Sequence, residues 1–212
     1  TIEEVFENQP RPSQRAILNI AVTIYTRVKN TVEMFLKGEA YDHPNDPRPI
    51  SIIEKTTKLN YSQFTYTIAK QLKQMDWYAF GKTPREIATR VTIVCSAANK
   101  FTVNSDFSRF DGRVSPAMRE LDRIVAMRLF HKSYHQDLED LLKSQYSCVA
   151  YTSDGYSYHT GTARLSGSPE TAAFNSIDNA FTAFLAFRRT KIGGHYMTAD
   201  EAWEALGIYG GD

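Results

Sequence analysis

Short apolar segments alternate with capped helices over the second half of the chain, and this order constrains the fold more than any other feature. The predicted strands cover residues 101–107 and 208–209, and a predicted hairpin covers residues 149–158. Ser-Pro pairs at Ser115 and Ser168 favour the first turns of the two helices that separate these segments. A capping box from Thr198 to Glu201 predicts a further short helix to Leu206. The order strand, helix, hairpin, helix, strand predicts an α+β fold, in which helices pack on one face of an antiparallel sheet.

The first hundred residues are predicted to be mainly helical. Apolar residues at helical spacing predict helices over residues 12–37 and 61–75. A proline-rich loop and a short strand at residues 50–53 lie between them. A capping box between Thr83 and Glu86, with proline at the first helical position, predicts a third helix that runs to about residue 98.

The composition is that of an ordinary globular domain whose two halves differ in charge. Residues 1–100 carry 14 Lys/Arg against 10 Asp/Glu, a balance of +4, and residues 101–212 carry 11 against 14, a balance of −3. Such a difference suits a phosphate-binding surface beside a metal-binding one, although it also arises by chance. Two cysteines exclude a disulfide framework and favour a reducing intracellular setting. The apolar run at residues 16–25 is too short to span a bilayer.

Two aspartates follow the first predicted strand. Asp106 is expected at the end of that strand, and Asp111 comes five residues later, directly before Gly112. Side chains five apart on a continuous strand point to opposite faces, so both carboxylates can serve one site only if the strand ends and the chain turns. Carboxylates at a strand end are good ligands for Mg²⁺, but solvated surface aspartates give the same pattern more often.

A glycine loop leads directly into the last long helix. The loop contains Ser166 and Gly167, and the helix carries Thr171 and Asn175 four residues apart, which places them on one helical face. Flexible backbone and free N–H groups at a helix N-terminus suit an anion or a nucleic-acid backbone. The alternative is an ordinary capped helix in which Asn175 is satisfied internally, and the residues alone leave both interpretations open.

Two further segments carry charge of the kind that binds metals or phosphates. Gly210-Gly211-Asp212 places a carboxylate at the tip of a glycine turn, unless the segment is a frayed terminus. Arg48 lies between two prolines and Lys37 precedes it, so that both could hold a triphosphate, unless they belong to a solvated loop. Each segment indicates little by itself, and their order along the chain is the informative feature.

In this order the segments resemble the RNA-dependent RNA polymerases of positive-strand RNA viruses, most closely the nodavirus-like branch. Asp106 to Asp111 resembles polymerase motif A, Ser166 to Asn175 resembles motif B, and Gly211-Asp212 resembles the start of the Gly-Asp-Asp of motif C. The combination of motifs A and B is specific, whereas the start of motif C is supported only by its position.

Two segments of the first half add to the resemblance, which covers residues 37–212. Lys37, Glu39 and Arg48 resemble motif F of the polymerase fingers. The stretch from Trp77 to Pro84 is also typical of the nodavirus-like branch, with no chemical role that the sequence assigns to it.

The resemblance implies a right-hand polymerase palm, an antiparallel sheet backed by helices, together with part of the fingers. Residues 1–100 would form the fingers and the fingers–palm helices, and residues 101–212 the catalytic palm. The second aspartate of motif C, motifs D and E and the thumb are not in the chain. We therefore expect a piece of a longer polypeptide, truncated at motif C and inactive by itself.

The resemblance also implies nucleotidyl transfer with two Mg²⁺ or Mn²⁺ ions. Asp106 and Asp212 would be the catalytic metal ligands. Asp111 and Asn175 would sense the ribose 2′-hydroxyl, with Thr171 supporting Asn175. Arg48 and Lys37 would contact the incoming phosphates, and Ser166 and Gly167 would form a mobile loop beside the template.

The implied partners are an RNA template and nascent RNA, ribonucleoside triphosphates and the remainder of a viral replicase polypeptide. The implied location is the host cell cytoplasm, in a membrane-associated replication complex that forms through regions outside this chain.

Two other classes of protein share parts of this pattern. A reverse transcriptase palm would need a bulky residue at Asp111 to exclude the 2′-hydroxyl, so the pair Asp111 and Asn175 argues against it. A non-catalytic RNA-binding module on an RRM-like sheet would show exposed aromatic residues on its strands rather than clustered aspartates.

Overall fold

The computed structural model describes residues 1–23, 31–98 and 101–211, which form an α+β fold. The helices are α1 (Ile2–Glu7), α2 (Pro12–Thr23), α3 (Lys55–Leu72), α4 (Pro84–Ala97), α5 (Pro116–Leu129), α6 (His135–Lys143), α7 (Thr171–Arg188) and α8 (Ala199–Glu204). The strands are β1 (Thr31–Leu36), β2 (Pro49–Ile52), β3 (Val149–Thr152), β4 (Ser157–His159), β5 (Lys191–Ile192) and β6 (His195–Tyr196). The predicted fold class is confirmed. No helix in these ranges is both long enough and apolar enough to cross a membrane.

The chain forms two compact units, and each unit takes residues from both halves of the sequence. The first unit contains Thr1–Ile68 and Asp111–Thr171, and the second contains Ala69–Phe110 and the chain from Ala172 onward. These units describe how the chain packs and do not test the division into fingers (1–100) and palm (101–212), which stays a prediction.

A four-stranded sheet with the order β2-β1-β3-β4 organises the first unit. β1 pairs antiparallel with β2 and parallel with β3, and β3 and β4 form a hairpin. Neighbouring residues in a strand face opposite sides of the sheet, so one face is buried and the other is exposed. The buried face contributes to a small core that consists of Val32, Ile53, Cys148, Ala150 and Leu165.

Helix α3 places polar side chains in the interior of the first unit. Its first turn is capped by Glu54, whose carboxylate accepts hydrogen bonds from the backbone N–H groups of Thr56 (2.9 Å) and Thr57 (2.8 Å). Tyr61 and Thr65, four residues apart on one face of the helix, are almost completely buried. The α3 helix therefore places a tyrosine hydroxyl inside the unit rather than at its surface.

Four predicted helices and the predicted hairpin are confirmed in position. α4 and α8 begin with the capping boxes at Thr83 and Thr198. α5 begins after Ser115, whose hydroxyl accepts a hydrogen bond from the backbone N–H of Met118. α7 extends to Arg188, and the hairpin forms around Gly155, whose φ of +83° explains why glycine occupies that turn.

The helix predicted over residues 12–37 is wrong in its second half. Helix α2 ends at Thr23, and the residues from Thr31 to Leu36 form strand β1. The apolar spacing there is compatible with either structure, and pairing with β2 and β3 decides for a strand. Residues 24–30, which the same prediction covers, lie outside the described ranges.

The strands predicted at residues 101–107 and 208–209 are also wrong. Residues 101–107 have no regular structure, and Phe101 (76% exposed) and Val103 (78%) have no apolar surface to pack against in the part of the chain that the structure describes. The strand predicted at residues 208–209 is reduced to a single parallel bridge between Tyr209 and Tyr78. A strand needs a hydrogen-bonded neighbour, and sequence periodicity does not supply one.

Candidate active site

The loop before α7 is held to the first unit at several points. The Ser166 hydroxyl donates a hydrogen bond to the carbonyl of Pro49 (2.8 Å), in strand β2. The Thr171 hydroxyl donates to the carbonyls of Leu165 (2.9 Å) and Ser168 (3.1 Å), which closes the loop on itself. Ser166 and Thr171, both predicted as site residues, thus fix the loop through backbone carbonyls.

Gly167 is required at its position by close contact with the sheet. A Cβ atom on Gly167 would lie 1.9 Å from the carbonyl oxygen of Ser51 and 3.0 Å from its carbonyl carbon. Ser51 lies in β2, so the clash would be with backbone that is paired to β1 and cannot shift freely. Only glycine lets the loop pack this closely on the strand.

A buried network of charges lies around the loop. Glu170 Oε1 accepts hydrogen bonds from Arg119 Nη1 (2.6 Å) and from Arg164 Nη1 (3.3 Å), and its Oε2 accepts one from the Tyr61 hydroxyl (2.5 Å). Arg164 Nη1 also donates to Asp122 Oδ2 (2.7 Å). All five side chains are buried, and two arginines balance two carboxylates, so the network as a whole carries no net charge.

The two carboxylates of this network respond differently to burial. Burial alone would raise the pKa of Glu170, but Arg164 and Arg119, with the hydrogen bond from Tyr61, hold that pKa below its usual value. Burial raises the pKa of Asp122 to about 6 against the opposing charge of Arg164, and the negative charge of Glu170 adds to the increase. The two arginines and Tyr61 therefore favour the charged form of Glu170.

Lys37 and Arg48, the predicted phosphate contacts, share one carboxylate. Lys37 Nζ lies 2.5 Å from Glu39 Oε1, and Arg48 Nη1 lies 3.7 Å from Glu39 Oε2. The Tyr41 hydroxyl donates to the same carboxylate (2.6 Å). Hydrogen bonds from Lys37 and Tyr41 lower the pKa of Glu39, which keeps it charged. The backbones of Lys37 and Arg48 are also joined by a hydrogen bond (2.9 Å), so the two cations lie together at one end of β1.

The two aspartates of the predicted motif A lie in different settings. Asp106 is exposed, at the end of the irregular segment in the second unit. Asp111 is half-buried in a short 3₁₀ helix, Phe110–Arg113, and its backbone carbonyl accepts a hydrogen bond from the N–H of Arg164 (2.8 Å). This hydrogen bond joins the backbone of Asp111 to Arg164, which lies at the start of the loop before α7.

The glycine turn at the end of the described chain is held by helix α7 in the second unit. The Ser176 hydroxyl accepts a hydrogen bond from the N–H of Gly211 (2.9 Å), and Asn179 Nδ2 donates to the carbonyl of the same residue (3.0 Å). Gly211 has a φ of +92°, which favours glycine. Its peptide groups are thus fixed on both sides directly before Asp212, and Asp212 lies outside the described residues.

The stretch that begins at Trp77 is a structural support for this turn, which the sequence did not indicate. Tyr209 N–H donates to the carbonyl of Trp77 (2.7 Å), and Ala79 N–H donates to the carbonyl of Tyr209 (2.9 Å). Gly210 packs so closely on Ala79 that an added Cβ would lie 3.1 Å from the Ala79 Cβ. The pairing of residues 77–79 with Tyr209 is a long-range contact, and no local pattern could have revealed it.

Ser176 and Asn179 were missed as site residues for a related reason. Both lie in the apolar-looking stretch of α7, next to the predicted ribose contact Asn175, and all three are buried. Buried polar side chains need hydrogen-bond partners, so a cluster of polar residues in an Ala/Phe-rich helix was the available signal. Two of its members bind backbone, and the predicted role of Asn175 in binding ribose stays a prediction.

The donors available in the described residues suit a hard divalent cation only in part. Asp106 offers an exposed carboxylate, which is the ligand type that Mg²⁺ prefers. Across residues 1–23, 31–98 and 101–211 there is no cluster of three or more Asp, Glu, His or Cys side chains that could hold a metal ion. A metal site here would need the carboxylate of Asp212 as well.

Comparisons with known proteins agree on one class. The RNA-directed RNA polymerase of greasy grouper nervous necrosis virus is 37% identical over 210 residues, which cover 98% of this chain and 21% of the relative. The polymerase of Pariacoto virus is 32% identical over 95% of this chain and 20% of its own length. The chain therefore spans about one fifth of the length of these curated relatives. No protein-family model matches it.

A solved structure supports the same class at the level of the fold. The crystal structure of the RNA-dependent RNA polymerase of a human picobirnavirus matches with a TM-score of 0.62, over 86% of this chain and 39% of the other. The two sequences are 13% identical, so the likeness concerns the fold alone.

Over nearly its whole length the chain therefore matches a segment of viral RNA-directed RNA polymerases in sequence, and the fold agrees with that class. The relatives are nodavirus polymerases, which confirms the resemblance to the nodavirus-like branch that the motifs indicated.

We predict that Gly167→Ala lowers the free energy of unfolding by at least about 2 kcal/mol, because the new methyl group must displace the backbone of β2. Urea unfolding of the purified polypeptide would measure the change. Gly112→Ala is the matched control, since its added Cβ meets nothing within 4 Å, and it should change stability by less than about 0.5 kcal/mol. Equal effects of the two substitutions would contradict the packing of Gly167 on Ser51.

Proposed function

We propose that this chain forms part of the catalytic centre of an RNA-directed RNA polymerase that copies viral RNA from an RNA template with ribonucleoside triphosphates. The proposal rests chiefly on the 37% identity to a protein of that name over 98% of the chain. A match of this length includes nearly all of the motif residues. The remainder of the replicase polypeptide would complete the enzyme in a membrane-associated complex of the host cytoplasm, through regions outside this chain.

Asp106 and Asp212 are the proposed metal ligands. Two bound Mg²⁺ or Mn²⁺ ions would activate the 3′-hydroxyl of the nascent RNA and stabilise the leaving pyrophosphate. The contribution of the protein is to hold carboxylates where those ions bind. Two hydrogen bonds support this role, because they fix the backbone next to Asp212 before any ligand arrives: Gly211 N–H donates to the Ser176 hydroxyl, and Asn179 donates to the Gly211 carbonyl.

Lys37 and Arg48 are the proposed contacts for the incoming triphosphate. In the structure both cations form ion pairs with the carboxylate of Glu39, an anion in the position that a phosphate group would take. Arginine suits phosphate because its planar fork donates two parallel hydrogen bonds. Binding of the nucleotide would therefore exchange one anion for another around cations that Glu39 already holds together.

Asp111 and Asn175 are the proposed ribose contacts, and Thr171 is a support. Thr171 begins α7, one helical turn before Asn175. The backbone of Asp111 is fixed by Arg164, so its carboxylate starts from a defined position. A carboxylate and an amide can both hydrogen-bond a 2′-hydroxyl, which deoxyribonucleotides lack.

An RNA-binding sheet without catalysis is the second candidate, because two aromatic side chains are half-exposed on the sheet. Phe35 lies on β1 and Tyr151 on β3, and the register that pairs Glu33 with Tyr151 places both rings on one face. Such rings can stack on unpaired bases. This candidate predicts RNA binding that does not depend on any carboxylate.

We predict that Asp106→Asn, in a complete polymerase polypeptide that carries this chain, lowers the rate of RNA synthesis by at least about a thousand-fold, because an amide is a poor ligand for a hard cation. Primer-extension or de novo synthesis assays with Mg²⁺ and with Mn²⁺ would measure the rate. The control is Asp154→Asn in the exposed hairpin turn, which should leave the rate unchanged. An Asp106→Asn enzyme as active as the unaltered one would refute the proposed metal ligand.

A second prediction concerns the preference for ribonucleotides over deoxyribonucleotides. Asp111→Ala should reduce the preference for ribonucleotides over deoxyribonucleotides by about ten-fold or more, because one of the two proposed contacts to the 2′-hydroxyl is lost. The ratio of kcat/KM values for the two nucleotides measures this preference. Asp137→Ala, an exposed aspartate on α6, is the control. Unchanged discrimination in Asp111→Ala would remove Asp111 from the ribose site.

A further inference from the structure

We propose that Glu170 and its buried partners Arg164 and Tyr61 are positioning residues that set ribose selectivity, by fixing the backbone of Asp111 and the start of α7 in one arrangement. This inference rests on the proposed polymerase function and adds three residues to which the sequence alone assigned no role. Each part of it follows from contacts within the first unit.

Glu170 connects three separate parts of the chain. Its carboxylate receives hydrogen bonds from Tyr61 on α3, from Arg119 on α5 and from Arg164 at the start of the loop. The exposed fraction of Glu170 is 0%, so its carboxylate is out of reach of bulk solvent. Because Glu170 directly precedes Thr171, the first residue of α7, the position of the carboxylate sets the position of the helix start.

Arg164 connects the same network to motif A. Its guanidinium donates to Asp122 and Glu170, while its backbone N–H donates to the carbonyl of Asp111 (2.8 Å). A shift of Glu170 would therefore move Arg164, and a shift of Arg164 would move the backbone of Asp111. The network therefore joins the backbone of Asp111 to Glu170, the residue directly before α7.

The loop between these residues cannot absorb such a shift. Ser168 Oγ donates to Gln145 Oε1 (2.7 Å), and both side chains are buried. Ser166 is bonded to Pro49, and Gly167 touches the backbone of Ser51. With its middle fixed to β2 and to Gln145, the loop cannot move to compensate for a change at Glu170 or Arg164.

Stability alone does not require charges at these positions. Buried ion pairs can often be replaced by apolar residues of similar volume without loss of stability, whereas removing one partner leaves an uncompensated charge. A network of two arginines and two carboxylates has a restricted hydrogen-bond geometry. It therefore suits the positioning of nearby groups better than it suits the filling of a core.

The test uses Glu170→Gln and Tyr61→Phe in a complete polymerase polypeptide that carries this chain. Glu170→Gln keeps the shape and removes the charge, and Tyr61→Phe removes one hydrogen bond from a side chain that is otherwise unchanged. We expect both to reduce the ratio of kcat/KM for a ribonucleotide over its deoxyribonucleotide, by about ten-fold for Glu170→Gln and less for Tyr61→Phe, since small displacements in an active site have large effects on rate.

The ratio distinguishes positioning from folding. A variant that only unfolds has fewer active molecules, which lowers the rate with both nucleotides equally and leaves their ratio unchanged. The matched control is Glu139→Gln, which removes the same charge from a surface pair with Lys143 (3.3 Å) and should leave the ratio unchanged. Measuring well below the melting temperature of each variant keeps all of them folded, and Tyr61→Phe remains available if Glu170→Gln does not fold.

The outcomes separate this inference from the proposed function. If the unaltered polypeptide synthesises RNA and the ratio is the same in Glu170→Gln, Tyr61→Phe and the control, the positioning role is refuted and the polymerase proposal stands. If the unaltered polypeptide synthesises no RNA from any template, the polymerase proposal itself fails. A reduced ratio in both variants, with the control unchanged, supports the positioning role.

Discussion

The first unit depends most on the hydrogen bonds that the buried carboxylate of Glu170 accepts. This carboxylate keeps its negative charge without access to water, because Arg164, Arg119 and Tyr61 lower its pKa together. Those three residues come from the loop, from α5 and from α3, which are far apart in the sequence. An unpaired charge at this depth would be very costly, so the three segments must assemble together or not at all. The network thus acts as a constraint on the fold as well as on the loop that it surrounds.

In each unit, side chains hold in place the backbone groups next to proposed functional residues. In the first unit, hydrogen bonds and one glycine fix the loop of Ser166 and Gly167 against β2. In the second unit, Ser176 and Asn179 fix the peptide groups of Gly211. Catalysis of nucleotidyl transfer is largely a matter of placing metals and phosphates correctly, which requires a rigid support. Polar residues buried in α7 supply part of that support.

The sequence predicted what local chemistry determines. Capping boxes at Thr83 and Thr198 marked helix starts because the capping side chains and their N–H partners are only three residues apart. The order of the motif residues was sufficient to recognise the family, which the relatives confirm. Strand β1 was missed because its apolar spacing also fits a helix, and only pairing with β2 and β3 decides. The charge network and the pairing of Trp77 with Tyr209 were missed because most of their hydrogen bonds join residues 42 to 132 positions apart.

The account depends most on a shared metal site at Asp106 and Asp212. Anomalous diffraction from Mn²⁺-soaked crystals of a complete polymerase polypeptide that carries this chain would test it most directly. The account predicts a manganese peak within about 2.5 Å of carboxylate oxygens from both aspartates, and its loss in Asp106→Asn. Manganese bound elsewhere, or the two carboxylates too far apart to share an ion, would contradict the assignment of these residues to a polymerase active site.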